Sequence, residues 1–256
     1  MMKAFLLIIA IACATTLTAQ QQPVKSQVYV YKDLPVTTED ARERRQVAEG
    51  SAHVLEYLEM HTTTVEPGKA PHAPHKHADE ELIIVKEGQL KVTIENETKV
   101  LGPGSIAVAL PGDMHGMVNV GDTKATYYVL KYRSKTPADP ERGKKAGGSF
   151  MIDWNDVTFR AHGNGGVREY IKRPTTMLKR FDMHVTTLKE GLKSHEPHTH
   201  AAEEIVLMIK GNSEMQIGDN FYKGTTGDLY FLGSMIPHAI RNDDTAPIMY
   251  YAFQWD

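Results

Sequence analysis

Three histidines and one glutamate recur twice in this chain at matching intervals. His75 and His77 lie two residues apart, Glu81 follows and His115 comes later, and His198, His200, Glu204 and His238 repeat the set 123 residues downstream. Residues two apart on a strand face the same way, so each His-x-His pair presents two imidazoles together. Three neutral imidazoles and a carboxylate make a mixed nitrogen–oxygen donor set. It suits a divalent first-row metal with ligand bonds of roughly 2.0–2.2 Å. A five- or six-coordinate ion would keep one or two positions for water or substrate. One cysteine stands against twelve histidines, which excludes a disulfide scaffold and cysteine-type zinc fingers.

The elements that must hold these residues are also written twice. Gly88 and Gly211, Gly104 and Gly227, Asn119 and Asn242, and the pairs Tyr127-Tyr128 and Tyr250-Tyr251 all keep the 123-residue interval. A constant interval means duplication with no net insertion. Each copy reads as short strands. Leu82–Val85 and Ile205–Met208 are apolar runs, Gln89–Glu95 alternates with period two, and glycines punctuate the runs. Such spacing predicts an all-β sandwich or barrel. The expected layout is a signal peptide over 1–19, an N-terminal barrel over 24–133, a linker over 134–148 rich in proline, glycine and basic residues, and a C-terminal barrel over 149–256. The charged run 39–49 is expected to form one short helix.

The N-terminus has one lysine, a short apolar run over Ala4–Ala12 and small residues to Ala19, the layout of a secretory signal peptide. That predicts a periplasmic or secreted protein. A lipid anchor at Cys13 and a hydrophobic N-terminal strand are the alternatives. No later segment has the eighteen apolar residues a spanning helix needs. The hydrophobic fraction of 41% over 256 residues supports a packed core, and the net charge of −3 offers no basic field for nucleic acid.

His75-x-His77-x3-Glu81-x6-Gly88 and His198-x-His200-x3-Glu204-x6-Gly211 resemble the first cupin motif. Gly104, Gly112, His115 and Asn119 resemble the second, as do Gly227, His238 and Asn242. Leu110 and Gly233 stand where that motif has proline, Met235 where it has its second glycine, and the spacer before His75 and His198 is one residue longer. These departures touch turns and spare every ligand position. The resemblance, over roughly 50–133 and 173–256, implies a bicupin: two tandem antiparallel jelly-roll barrels, each with a metal at its centre. It implies a divalent transition metal, manganese or iron ahead of zinc or nickel, up to one ion per barrel. The ligands would be His75, His77, Glu81 and His115, and His198, His200, Glu204 and His238. Cupins include dioxygenases, decarboxylases of small acids, isomerases, lyases and purely binding members. The expected partner is therefore a small oxygen-rich organic substrate. A non-catalytic binding bicupin and a hydrolase similar to ureidoglycine aminohydrolase remain the alternatives. Bicupins often pair exposed N-terminal strands, and the alternation in Gln27–Tyr31 would allow a homodimer.

Other residues have two readings each. His72 and His195 extend both motifs, either as an acid–base group or gate near the metal or as exposed loop histidines. His61 and His184, on the preceding strand, either line the cavity or face solvent. Glu80 and Glu203 are expected to be outward, solvated carboxylates, unless a shifted register makes them ligands. Met114, Met117, Met183 and Met235 are expected in the core or cavity wall. In each tyrosine pair one ring turns inward. Arg241 falls on the strand face opposite His238, and no electropositive cluster flanks either motif.

Overall fold

The computed structural model describes residues 22–39 and 42–256. The expected signal peptide and Cys13 lie outside the described residues. The first half contains β1 (Gln27–Tyr29), β2 (Val36–Glu39), β3 (Arg42–Gly50), β4 (Leu55–Val65), β5 (Glu80–Glu87), β6 (Leu90–Ile94), β7 (Glu97–Leu101), β8 (Ile106–Ala109), β9 (His115–Asn119) and β10 (Ala125–Ser134). A short helix, α1 (Pro140–Lys145), follows. The second half repeats the series as β11 (Phe150–Ile152), β12 (Arg160–His162), β13 (Gly165–Arg173), β14 (Phe181–Leu188), β15 (Glu203–Lys210), β16 (Ser213–Ile217), β17 (Asn220–Gly224), β18 (Leu229–Leu232), β19 (His238–Asn242) and β20 (Ile248–Trp255). No helix among the described residues is long and apolar enough to cross a membrane.

Each half pairs a seven-stranded sheet with a three-stranded one, giving two antiparallel jelly-roll barrels. The large sheets run β11-β8-β5-β10-β4-β3-β2 and β1-β18-β15-β20-β14-β13-β12. The first strand of each half therefore belongs to the other half's sheet: β1 pairs with β18, and β11 with β8. Within Gln27–Tyr31, whose alternation would allow pairing between copies, Gln27–Tyr29 makes a ladder with β18 of its own chain. Inward alternation fills each barrel, with Ile83, Val92 and Tyr127 in the first and Val206, Met215 and Tyr250 in the second. The opposite faces of the large sheets pack against each other. Leu58, Leu82 and Leu130 meet Leu178, Phe181 and Phe253 in one apolar cluster spanning both halves.

Two expectations are corrected here. Residues 42–50 form a strand rather than a helix, because β4 on one side and β2 on the other supply its backbone partners. Glu80 and Glu203 are neither solvated nor ligands: they are 0% and 2% exposed. Glu80 accepts from the Tyr132 hydroxyl at 2.6 Å and from the Met177 amide at 3.1 Å. Glu203 accepts from the His53 amide at 2.6 Å and the Val54 amide at 3.5 Å. Each carboxylate thus reaches backbone of the opposite half, at corresponding positions of the repeat. Tyr128 and Tyr251 do likewise, their hydroxyls donating to the Gly227 and Gly104 carbonyls. The connector is built into this interface: Asp139 caps α1, and Arg142 donates to the Thr175 and Thr176 carbonyls at 2.7 and 2.8 Å.

Met114 and Met235 also depart from expectation, at 41% and 59% exposed, whereas Met117 and Met183 are buried. Met235 adopts φ 61°, the left-handed conformation that Gly112 takes at φ 87° in the first half. A side chain there costs about 1–2 kcal/mol, part of which glycine gives back as unfolded-chain entropy. Met235→Gly is expected to stabilise the protein by about 0.5–1 kcal/mol, measurable as a higher urea midpoint at unchanged slope.

Candidate metal centres

In each barrel the ligand set is drawn from three places. The His-x-His segment lies in the loop before β5 or β15, the glutamate sits on that strand, and the last histidine opens β9 or β19. Backbone bonds fasten the pieces: His75 and His115 exchange N–H···O bonds of 3.0 and 2.9 Å, and His198 and His238 exchange bonds of 3.2 and 3.1 Å. Asn119 and Asn242 tie the far end of β9 and β19. Their side-chain amides donate to Val65 and Thr123 carbonyls in one barrel and to Leu188 and Ala246 carbonyls in the other.

The geometry of the two sets is nearly the same. Ring centroids of His75, His77 and His115 lie 5.2, 4.7 and 4.9 Å apart, and those of His198, His200 and His238 lie 5.2, 4.7 and 4.8 Å apart. Within each trio one ring nitrogen per histidine falls within 4.8 Å of the others. Glu81 is 3.1 Å from His77 Nε2 and 3.7 Å from His115 Nε2. Glu204 is 3.2 Å from His200 Nε2 and 3.3 Å from His238 Nε2. The Nδ1 atoms of His77, His115, His200 and His238 face the carbonyls of Asp79, Asp113, Ala202 and Ile236 at 2.8–3.0 Å. Those contacts leave Nε2 to point inward as a lone-pair donor. The buried Nε2 atoms of His115 and His238 have no hydrogen-bond partner. A buried polar atom left unpaired is costly, and a cation at the convergence point would satisfy both.

Electrostatics prepares the same binding. Burial pushes the Glu81 and Glu204 carboxyls up, but the neighbouring histidines outweigh it, holding Glu81 below its ordinary value and Glu204 at about 2. Burial and the adjacent His72 and His115 hold His75 down at about 4, and burial with His195 and His238 lowers His198. The glutamates are thus anions and His75 and His198 neutral near pH 7, the states a metal requires, whereas the hydrogen bond to Glu204 raises His200, whose proton an incoming ion would displace.

The chain matches the cupin domain family model over residues 61–131 and 184–253. The chain belongs to the cupin family. No curated protein matches it. Solved structures similar to this cupin include AerE from Microcystis aeruginosa, at 16% identity, TM-score 0.69 and coverage of 90% of this chain and 98% of that one. The formate complex of oxalate decarboxylase from Lactobacillus farciminis is similar at 13% identity and TM-score 0.70, covering 90% and 86%. Protein Ylba from E. coli is similar at 14% identity and TM-score 0.72, covering 94% and 95%. At such identities the likeness is one of fold.

The surroundings of the two centres differ. A cavity of about 300 Å³ lies against the C-terminal set, bounded by His184, Thr186, His195, His198, Glu204 and Tyr250 among others. His184 therefore faces the cavity, and burial lowers its pKa. The Tyr250 hydroxyl, pushed up to about 12 by burial, is a neutral hydrogen-bonding group there. His72 and His195 are exposed and stand edge-on to His75 and His198, with ring centroids 4.3 and 4.2 Å apart. A larger cavity of about 400 Å³ runs between the barrels past Tyr128, Trp154 and Tyr251, without a cluster of ligating groups.

Several neighbours escaped sequence reasoning. Gln254 donates to Glu204 at 3.0 Å, and Lys131 occupies the matching position near Glu81. Arg44 pairs with Glu59, which also accepts from the Tyr57 hydroxyl at 2.8 Å and lies 3.1 Å from His61 Nδ1. The helix expected over 39–49 concealed this, since only a strand points residues 42, 44 and 46 together into a barrel. Arg241 lies on the outer face as expected, beside Glu214 and Asp243.

Burial pushes the Glu59 carboxyl up, but His61, Tyr57 and Arg44 outweigh it and hold the value at about 2. A depressed carboxyl contributes stability above its ordinary value of 4.5, and the contribution is lost as pH falls toward 2. Glu59→Gln is expected to flatten the loss of stability between those pH values. Urea unfolding at a series of pH values checks it, and an unaltered slope would contradict the assignment.

Proposed function

We propose that this cupin is an exported metalloenzyme that acts on a small, oxygen-rich organic molecule, with manganese or iron in its centres. The single observation that carries the reading is the cavity beside the C-terminal ligand set. It gives a small molecule room next to the convergence point of His198, His200, Glu204 and His238. A bound divalent ion would supply Lewis acidity there and, if redox-active, dioxygen chemistry. The protein's own groups do the rest. Gln254 and the Ala202 and Ile236 carbonyls fix the ligands' orientation. Thr186 and Tyr250 offer hydrogen bonds to hydroxyl or carboxyl oxygens on the cavity wall. His184, neutral because it is buried, is placed to accept a proton from the substrate. Oxalate decarboxylase among the similar structures is in keeping with a small oxygenated substrate. The composition of residues 1–19 supports export.

The test is elemental analysis of the purified protein, followed by a turnover screen of small hydroxy, keto and dicarboxylic acids under air and under nitrogen. Manganese or iron with turnover in either atmosphere supports the reading. Bound metal with no turnover in either would favour a binding bicupin. His184→Asn is expected to lower kcat by roughly 100-fold or more, as loss of a general base does, at unchanged metal content.

A further inference from the structure

The repeat is faithful at the ligands but diverges on the wall above them. In the first barrel the inward positions of β3 are Arg42, Arg44 and Gln46, paired with Val65, Thr63 and His61 of β4. The same positions of β13 are Gly165, Val167 and Glu169, paired with Leu188, Thr186 and His184 of β14. Two guanidinium groups thus stand at the mouth of one barrel where the other has a glycine and a valine. Both are tied in place. Arg42 donates to the Pro71 carbonyl at 3.4 Å, on the loop that leads into His72 and His75, and its other amino group pairs with Glu39 of β2. The Arg42 charge also reaches the Tyr127 hydroxyl inside the barrel. Arg44 is engaged by Glu59. Arg42 thus bridges the outer hairpin to the ligand loop, whereas Arg44 is held against β4 by Glu59.

The second barrel cannot be closed in this way. Gly165 has φ 146°, and a Cβ there would lie 1.9 Å from the Thr187 carbonyl oxygen. The flanking His162 and Asn164 instead form part of the wall of the 300 Å³ cavity that reaches Glu204 and His238.

We propose that the C-terminal barrel alone admits substrate, and that Arg42, bridging β2 to the Pro71 loop, seals the N-terminal centre so that its ion serves structure rather than turnover. This rests on the metal reading above and adds to it a division of labour between the barrels. Arg42 is then the residue that sets access, and a small α-hydroxy acid is the class of solute that distinguishes the two centres.

The experiment uses full-length chains in which one ligand set is removed, His77→Ala with His115→Ala, or His200→Ala with His238→Ala, each loaded with Mn²⁺. Elemental analysis first establishes one ion per chain. Water-proton relaxation is then followed as glycolate is added. With only the C-terminal ion, the relaxation enhancement is expected to fall by about half as open-position water is displaced. With only the N-terminal ion it is expected to hold constant, and Arg42→Ala in that background is expected to confer the glycolate response. Arg42→Gln, which keeps the side chain's length without its charge and fork, gives the same reading if alanine disturbs the hairpin. An equal response of the N-terminal ion with Arg42 in place overturns the proposal. So does silence of the C-terminal ion, or an N-terminal ion still unresponsive in both Arg42 variants. Chains that retain no metal at either set overturn the metal reading itself, and this proposal with it.

Discussion

Saturating the protein with Mn²⁺ is expected to raise its melting temperature by roughly 5–10 °C for each centre filled. The estimate follows from about 2.7 kcal/mol of linkage at a hundredfold excess over Kd and roughly 2–4 °C per kcal/mol for a chain of this size. The unfolded chain does not hold three imidazoles and a carboxylate together, so binding energy becomes folding energy. The apo protein also carries a cost that the ion removes, since the Nε2 atoms of His115 and His238 are buried without hydrogen-bond partners. His77→Ala and His200→Ala each delete one donor from one set. Each should lower metal stoichiometry from two ions to one and remove about half of the Mn²⁺-dependent rise, by linkage at a single site. Differential scanning calorimetry with and without chelator, alongside elemental analysis, reads both. Metal content unchanged in both variants would remove the ground for any metal centre at these residues.

The second large effect belongs to the interface between the barrels. Glu80→Ala and Glu203→Ala are each expected to cost about 2–4 kcal/mol. Each leaves buried donors unpaired and opens a cavity. The Met177 amide and the Tyr132 hydroxyl lose Glu80, and the His53 and Val54 amides lose Glu203. The two carboxylates bond different partners within one apolar cluster, and the double variant measures how far their effects couple. Urea midpoints of the single and double variants test this, and a cost below 1 kcal/mol for either would show that the clamps contribute little. The pH signature is distinctive. Burial, the largest influence, raises both carboxyls. A raised carboxyl contributes its full stability below its ordinary value of 4.5 and loses it as pH climbs through the folded value. Glu80→Gln is therefore expected to reduce the decline in stability on the alkaline side of pH 4.5, the reverse of the acid-side effect of Glu59→Gln.

The donor types, their spacing and the 123-residue interval determined by themselves that this chain would be a duplicated all-β protein with two like ligand sets. These properties are local and periodic. Alternation sets which side chains share a strand face, and repetition sets that both halves fold alike. What lay beyond the sequence depends on partners distant along the chain. Glu80 and Glu203 looked like solvent-facing neighbours of the ligands, and they are buried because the opposite half supplies Met177, His53 and Val54. Gln27–Tyr29 had the right alternation for an edge strand, but only the assembled molecule gives it β18 as partner. The segment from 42 to 50 carries helix-compatible charges, and pairing with β4 and β2 made it a strand. That choice turned Arg42 and Arg44 into one barrel while Gly165 left the other open. Composition fixes which groups can bind an ion, but access to that ion is a property of walls assembled from strands far apart in the chain, and that only the tertiary structure could decide.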